Sequence, residues 1–244
     1  MELCSTYCRC LCILLPIIAS VGTSLAKAEP ALLSGTFPFA DIEVFYQLYE
    51  RPEPEAPVAL FLHGQSFTSD IWVQLGTLKR VWEAGWSAVA IDLPGYGKTR
   101  HLPYVDDNMR AEVVKAALVF AKGRSTLNSV LVSPSMSGKW AVPFLDRYGL
   151  LLVGWVALAP VGVGHWNGPW EFTHRAVHLL AMYGERDPLK VDAEELALYF
   201  ARATKVIVPN AGHAFYVEQP EAFHTALLKF IRPFPMTAGS EQEE

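Results

Sequence analysis

Residues 133–138, Ser-Pro-Ser-Met-Ser-Gly, place three hydroxyl groups between an apolar run and a stretch with helical spacing. A serine nucleophile for acyl transfer is commonly mounted on a sharp turn between a strand and a helix. The crowding of that turn requires small residues two positions before and two positions after the nucleophile. The run is therefore a candidate nucleophile turn, although serines stand where glycines are usual.

Ser135 is the serine of this run that meets the requirements of such a turn. With Ser133 as nucleophile, the next residue would be Pro134, which has no backbone N–H to offer an oxyanion. With Ser137 as nucleophile, Lys139 would occupy a position that needs a small residue. Ser135 has serines on both sides at the required spacing. Taken alone, the run is also compatible with a serine-rich loop without chemistry, because serine is a common turn residue.

A serine hydroxyl needs a base to take its proton and a carboxylate to orient that base. His213, in Asn-Ala-Gly-His, directly follows the last predicted strand, and Asp187 directly follows the strand before it. The chain order Ser135, Asp187, His213 is typical of a nucleophile mounted on this kind of turn. Two alternatives remain for the acid: Glu185 is a rival carboxylate, and Asp187 before Pro188 is also compatible with a plain turn residue.

The oxyanion of an acyl-transfer reaction needs backbone N–H donors. Residues 63–66, His-Gly-Gln-Ser, follow an early predicted strand, and we assign the backbone N–H of Gln65 as one donor and that of Met136 as the second. Removal of one such donor costs roughly 3 kcal/mol of transition-state stabilisation in enzymes where it has been tested. A plain turn at the strand end is the alternative interpretation, because Gly64 fits both.

Short apolar runs alternate with amphipathic stretches, which predicts a parallel sheet covered by helices on both faces. Because ligands bind at the carboxyl ends of the strands in such sheets, the candidate residues should meet at that edge. Asp192 and Glu195 predict a capping box that opens the fourth helix. Strands are predicted at residues 42–49, 58–62, 87–91, 129–132, 153–159, 179–183 and 205–208, and helices at residues 71–84, 107–122, 139–148, 192–203 and 220–231.

The composition favours one folded domain, which we place at residues 30–235. Of the 244 residues, 51% are hydrophobic and 12% aromatic, which excludes a disordered chain. The formal net charge of −5 argues against nucleic acid as a partner. All four cysteines lie in the first 12 residues, so the domain has no cysteine-based metal site or disulfide framework. We expect neither a metal ion nor a bound cofactor.

The two ends of the chain differ from the domain in composition. Residues 1–28 contain an apolar run followed by small residues spaced as at a signal-peptidase site, which predicts a signal peptide or a membrane anchor. The expected location is the secretory pathway, secreted or membrane-anchored, with the cytoplasm as the alternative. Residues 236–244 are polar and acidic, and we expect a disordered tail.

Five segments carry a family likeness: residues 63–72, 76–78, 90–97, 132–138 and 210–213. They resemble the α/β-hydrolase domain-containing protein 14 group, and the likeness covers residues 35–233. The Ser-Pro-Ser-x-Ser-Gly turn, together with Pro-Phe-Leu at residues 143–145, is specific to that group. The run Asp-Leu-Pro-Gly-x-Gly at residues 92–97 is shared more widely. One departure is the segment 185–187, where related chains vary around the acid.

The resemblance implies a serine-hydrolase triad at Ser135, Asp187 and His213. It also implies activity on small acyl esters, and acyl transfer to coenzyme A, including deacylation of acyl-lysine, belongs to the suspected repertoire of the group. The group contains soluble and membrane-anchored members, and the apolar N-terminus resembles the anchored kind.

The sequence therefore predicts an α/β-hydrolase fold with a mostly parallel central sheet, helices on both faces and no lid domain. The predicted function is a serine hydrolase, an esterase or acyl hydrolase that works through an acyl-enzyme on small acyl substrates. The alternatives are an acyltransferase or lysine deacylase that passes the acyl group to coenzyme A, and a non-catalytic protein-interaction module on the same fold. A monomer is expected, with a protein partner and membrane association through the N-terminus left open.

Overall fold

The computed structural model describes residues 30–102, 104–122, 129–163 and 177–234. The segments 1–28 and 236–244, predicted as signal peptide or anchor and as acidic tail, lie outside the described residues. The absence of a lid was predicted from the connection after residue 159. Residues 164–176 of that connection also lie outside the described residues. Within the described ranges, we find no helix that is both long enough and apolar enough to cross a bilayer.

In the described residues, eight strands form one sheet. They are β1 (Leu33–Phe39), β2 (Ile42–Tyr49), β3 (Val58–Phe61), β4 (Ser87–Ile91), β5 (Ser129–Pro134), β6 (Leu152–Leu158), β7 (His178–Gly184) and β8 (Ala203–Val208). Their order in the sheet is β1-β2-β4-β3-β5-β6-β7-β8. β1 pairs with β2, and β2 with β4, in antiparallel register, and the other neighbours are parallel. The mostly parallel sheet predicted from the sequence is thus confirmed.

Helices cover both faces of the sheet, as predicted. The helices are α1 (Asp70–Gln74), α2 (Thr77–Glu83), α3 (Asp107–Lys122), α4 (Gly138–Tyr148), α5 (Val191–Tyr199), α6 (Phe215–Glu218) and α7 (Pro220–Ile231), with 3-10 turns at Ser135–Ser137 and Gly149–Leu151. Successive residues of a strand point to opposite faces. In β3, Leu60 packs in the cluster that includes α3 and α4, while Phe61 packs in the cluster that includes α1, α2 and α7.

Two elements near the N-terminus differ from the sequence prediction. The single helix predicted at residues 71–84 is wrong, because α1 and α2 are separated at Gly76, which has a φ of 70°. A left-handed residue of this kind ends one helix and redirects the chain into the next. The sequence prediction did not include the edge strand β1, because its run Leu-Ser-Gly-Thr-Phe-Pro-Phe contains a glycine and a proline, which are depleted in strands.

The capping box predicted at Asp192 is also wrong. The residue that caps α5 is Lys190, and Asp192 lies inside the helix. The Asp192 carboxylate instead accepts the backbone N–H groups of Gly162 and Val163, at 2.8 and 3.1 Å. Asp192 therefore anchors the loop that follows β6. Its partners lie about 30 positions earlier in the chain, so a local pattern such as a capping box could not reveal them.

Candidate active site

The candidate nucleophile lies on the sharp turn between β5 and α4. Ser135 has a φ of 48°, a left-handed conformation that is rare for a residue other than glycine. Such strain persists where the surrounding structure imposes it, and it clusters at functional sites. Gly138, three residues later, packs so closely on the next loop that a β-carbon there would lie 2.8 Å from the Val161 carbonyl oxygen. This turn therefore needs a glycine at position 138.

The two flanking serines have structural partners of their own. Ser133 is fully buried, and its hydroxyl accepts the indole N–H of Trp155 at 2.7 Å. Ser137 is also buried, and its hydroxyl donates to the carbonyl oxygen of Pro134 at 2.7 Å. These bonds explain why serine, rather than glycine, occupies the small-residue positions. They also leave Ser135, which is half-buried, as the hydroxyl of this turn that faces the candidate base.

The structure brings together the three residues predicted as a triad. The Nε2 atom of His213 lies 2.8 Å from the Ser135 hydroxyl, and its Nδ1 atom lies 2.8 Å from Oδ2 of Asp187. An ionised carboxylate can only accept, so Nδ1 carries the imidazole proton and Nε2 is free to accept the serine proton. The Asp187 side chain has no exposed area, whereas that of His213 is 31% exposed. Oδ1 of Asp187 accepts the backbone N–H of Leu189 at 2.8 Å, so both carboxylate oxygens are bonded.

A close backbone approach holds together the loops that carry Asp187 and His213, the candidate acid and base. A β-carbon on Gly184, the last residue of β7, would lie 2.7 Å from the carbonyl carbon of Ala211 and closer still to the carbonyl oxygens of Ala211 and Gly212. The N–H of Arg186 donates to the Ala211 carbonyl at 3.0 Å. Because Gly184 has no side chain, the loop before His213 can lie against the end of β7, beside Asp187.

The rival acid, Glu185, is engaged elsewhere. Its Oε2 atom accepts the backbone N–H of Asn210 at 2.9 Å. Asn210 has a φ of 58°, and asparagine is among the residues that adopt this left-handed conformation most readily. The carboxylate hydrogen-bonded to the His213 ring is that of Asp187.

The two residues predicted as oxyanion donors lie next to Ser135, the candidate nucleophile. Met136 directly follows Ser135 at the start of a 3-10 turn, where backbone N–H groups have no partner within the helix. Gln65 follows Gly64, and a β-carbon on Gly64 would lie 3.8 Å from the Ser135 β-carbon. The loop that carries Gln65 therefore runs directly beside Ser135. The roles of both N–H groups remain predictions.

His63 orients the peptide that carries the Gln65 N–H. Its Nε2 atom accepts the backbone N–H of Leu93 at 3.0 Å, so Nδ1 carries the proton and donates to the Gly64 carbonyl at 2.9 Å. Phe67 N–H donates to the same carbonyl at 3.1 Å. Burial lowers the pKa of His63, which favours this neutral ring. In a trans peptide the N–H points away from the carbonyl, so the two bonds fix the direction of the Gln65 N–H.

Tyr96 was not identified from the sequence as a residue of the site. Its hydroxyl donates to the Met136 sulfur at 2.8 Å, and its ring lies edge-on to His63 with 5.2 Å between ring centroids. Tyr96 lies in the turn after β4, which is held by Asp92: the two carboxylate oxygens accept the N–H groups of Ser69 and Lys98, each at 2.8 Å. In the sequence, this turn is indicated by the run Asp-Leu-Pro-Gly-Tyr-Gly at residues 92–97.

The arrangement suits nucleophilic acyl transfer. A hydroxyl, an imidazole and a buried carboxylate form one hydrogen-bonded chain, with two candidate backbone donors beside the hydroxyl. Within the described residues, no group of three or more His, Cys, Asp or Glu side chains is placed to hold a metal ion.

Comparisons with known proteins identify the family. No family model matches the sequence. Protein ABHD14A of Rattus norvegicus is 35% identical over 196 residues, which are 79% of this chain and 79% of that protein. The human protein named "Putative protein-lysine deacylase ABHD14B" is 35% identical over 175 residues, 71% of this chain and 82% of that protein.

A solved structure has the same fold. The crystal structure of a "predicted CIB-like hydrolase" from Thermoplasma acidophilum matches with a TM-score of 0.75 and 24% identity, over 84% of this chain and all of that chain. This likeness supports the α/β-hydrolase fold, and the identities to ABHD14A and ABHD14B show that the chain belongs to the ABHD14 group of the α/β-hydrolase superfamily.

Proposed function

We propose that this protein is a serine hydrolase that cleaves esters and related acyl bonds of small acyl substrates through an acyl-enzyme. The observation that carries the proposal is the hydrogen-bonded chain from Ser135 through His213 to Asp187, in which both distances are 2.8 Å. Membership of the ABHD14 group supports a hydrolase.

The first half-reaction acylates the serine. As Oγ of Ser135 attacks the substrate carbonyl carbon, its proton passes to Nε2 of His213. The buried Asp187 carboxylate stabilises the resulting imidazolium. The carbonyl oxygen becomes an oxyanion that accepts hydrogen bonds from the N–H groups of Gln65 and Met136. The tetrahedral intermediate then collapses, and the leaving group departs with the proton from His213.

The second half-reaction frees the enzyme. A water molecule gives its proton to His213 and attacks the acyl carbon, and the products are a carboxylic acid and free Ser135. In a second candidate function, the acyl donor is the amide of an acylated lysine rather than an ester. The acceptor is the thiol of coenzyme A rather than water, and the product is an acyl thioester. The relative named as a protein-lysine deacylase favours this second candidate. Both proceed through the same acyl-enzyme, and coenzyme A would be a substrate rather than a resident cofactor.

Labelling with a fluorophosphonate probe tests the nucleophile. We expect the wild-type protein to be labelled and Ser135→Ala to stay unlabelled. Ser137→Ala is the matched control, because its hydroxyl is bonded to the Pro134 carbonyl, and it should be labelled like the wild type. Equal labelling of Ser135→Ala, or a folded wild-type protein that is not labelled at all, would refute the proposal.

The acceptor is tested separately by product analysis. The wild-type protein is mixed with 4-nitrophenyl acetate or an acetyl-lysine peptide, with and without coenzyme A, and the products are identified by mass spectrometry. A hydrolase releases acetate at a rate that does not depend on coenzyme A. Formation of acetyl-coenzyme A that is lost in Ser135→Ala would instead support the second candidate.

A further inference from the structure

Tyr216 in α6 is a buried tyrosine whose hydroxyl the proposed mechanism does not use. Only 2% of the residue is exposed. Its ring stacks on that of Trp72 at 5.3 Å between centroids and lies edge-on to those of Phe67 and Phe223, at 6.1 and 6.2 Å. Because the ring is enclosed by other rings, the position of the hydroxyl is fixed by packing.

The Tyr216 hydroxyl has no hydrogen-bond partner among the described residues, but it is not fully enclosed. Burial alone raises the pKa of Tyr216, and among the described residues none contributes a hydrogen bond to it. The fully enclosed side-chain atoms without a partner in the described part of the chain are Oγ of Ser129 and Nδ1 of His224, and the Tyr216 oxygen is not among them. An unpaired hydroxyl that is not fully enclosed borders open space.

That space lies beside the nucleophile. A β-carbon on Gly64 would lie 3.4 Å from the Tyr216 hydroxyl oxygen and 3.8 Å from the Ser135 β-carbon. The hydroxyl and the β-carbon of Ser135 therefore both lie against the space that a side chain at position 64 would fill, and glycine leaves that space free. Gln65, whose N–H is a proposed oxyanion donor, is the next residue in the chain.

We propose that the Tyr216 hydroxyl donates a hydrogen bond to the carbonyl oxygen of the acyl group at Ser135, as a third donor beside the N–H groups of Gln65 and Met136. The inference rests on the proposed serine-hydrolase function. A phenol with a raised pKa keeps its proton at neutral pH and so remains a donor. Among the described residues the hydroxyl has no partner, and the carbonyl oxygen of a bound substrate would supply one. The bond is strongest when the carbonyl oxygen becomes an oxyanion, because hydrogen bonds to charged acceptors are stronger than those to neutral ones.

The test is Tyr216→Phe, which removes one oxygen atom and keeps the ring packing. We expect kcat for a short acyl ester to fall on the order of 10²-fold, as when one oxyanion donor is removed from other enzymes, with little change in KM. The midpoint of thermal unfolding should not fall, because the lost hydroxyl has no partner in the free protein.

Tyr183→Phe is the matched control. Tyr183 is also buried, but its hydroxyl is bonded to Oε1 of Glu194 at 2.9 Å. Removing that hydroxyl should lower the unfolding midpoint and leave kcat unchanged. We therefore expect opposite outcomes for the two variants, because one hydroxyl is proposed to bind the substrate and the other stabilises the folded protein.

Inhibition by an alkyl trifluoromethyl ketone gives a second readout, because this reagent forms a reversible tetrahedral adduct with a nucleophilic serine. In Tyr216→Phe, the inhibition constant should rise by the same factor as kcat/KM falls. If both quantities stay within twofold of the wild type while Ser135 still reacts with a fluorophosphonate, the role of Tyr216 is refuted and the serine hydrolase stands. If the wild-type protein neither reacts with the probe nor turns over, both proposals fail together.

Discussion

Gly184→Ala should damage catalysis through backbone displacement alone. The new β-carbon would lie 2.7 Å from the carbonyl carbon of Ala211, whereas non-bonded carbon atoms in contact lie about 3.5–4.0 Å apart. The two loops must therefore separate by roughly 1 Å. Since the displaced segment leads directly into His213, the base moves away from Ser135 or Asp187, both of which it now meets at 2.8 Å. A misplacement of about 1 Å can cost on the order of 10²-fold in rate, which is the loss of kcat/KM expected here.

The assay compares kcat/KM for a short 4-nitrophenyl ester with the rate of fluorophosphonate labelling, at a temperature where all variants are folded. Gly154→Ala is the matched control, because its β-carbon would lie 2.8 Å from the Phe230 ring, remote from the triad loops. That variant should lose about 1–3 kcal/mol of stability through overpacking and keep its activity. If folded Gly184→Ala retains kcat/KM within about threefold of the wild type, the backbone approach at Gly184 does not position the base.

Three further outcomes are expected. Ser133→Ala should lower the free energy of unfolding in urea by about 1–3 kcal/mol, because the Trp155 indole N–H loses its acceptor, while ester hydrolysis persists. Asp187→Asn should lower kcat about 10⁴-fold with little loss of stability, as in a serine protease with the same change, because His213 then adopts the wrong tautomer. Burial lowers the pKa of His224, so as the pH falls the unfolded chain binds a proton at this residue before the folded protein does. The urea midpoint of unfolding should therefore fall as the pH drops below about 6.5, and this fall should be smaller in His224→Gln.

The candidate site was predictable because its residues obey strict local rules. The absence of an N–H on Pro134 and the size of Lys139 excluded two serines without any knowledge of the fold. Asp187 and His213 each follow a short apolar strand, and parallel strands present their carboxyl ends at one edge of the sheet. Chain order and strand ends are properties of the sequence, so the three-dimensional meeting of these residues could be inferred from them.

The parts that escaped prediction depend on contacts between distant segments. The serine at position 133 is explained by the indole of Trp155, and the glycine at position 184 by the backbone before His213. Asp192 was predicted as a helix cap from local spacing, whereas the loop that it binds lies far away in the chain. Tyr216 lies three residues after the base, but its burial and unpaired hydroxyl emerge only when its ring is packed against others.

The groups of the candidate site are held by hydrogen bonds that do not involve the Ser135 hydroxyl. The Gly64 carbonyl is fixed by His63, and the N–H of Gly212 donates to Glu218 at 3.0 Å, beside the base. The Asp187 carboxylate is held by Leu189 in addition to His213. Because these supports persist when the serine is replaced, Ser135→Ala should leave the remaining dipoles and donors in place. The candidate site is thus organised before substrate arrives, so the proposed reaction would need little reorganisation when its oxyanion forms. Such preorganisation is the main electrostatic advantage that an enzyme has over water.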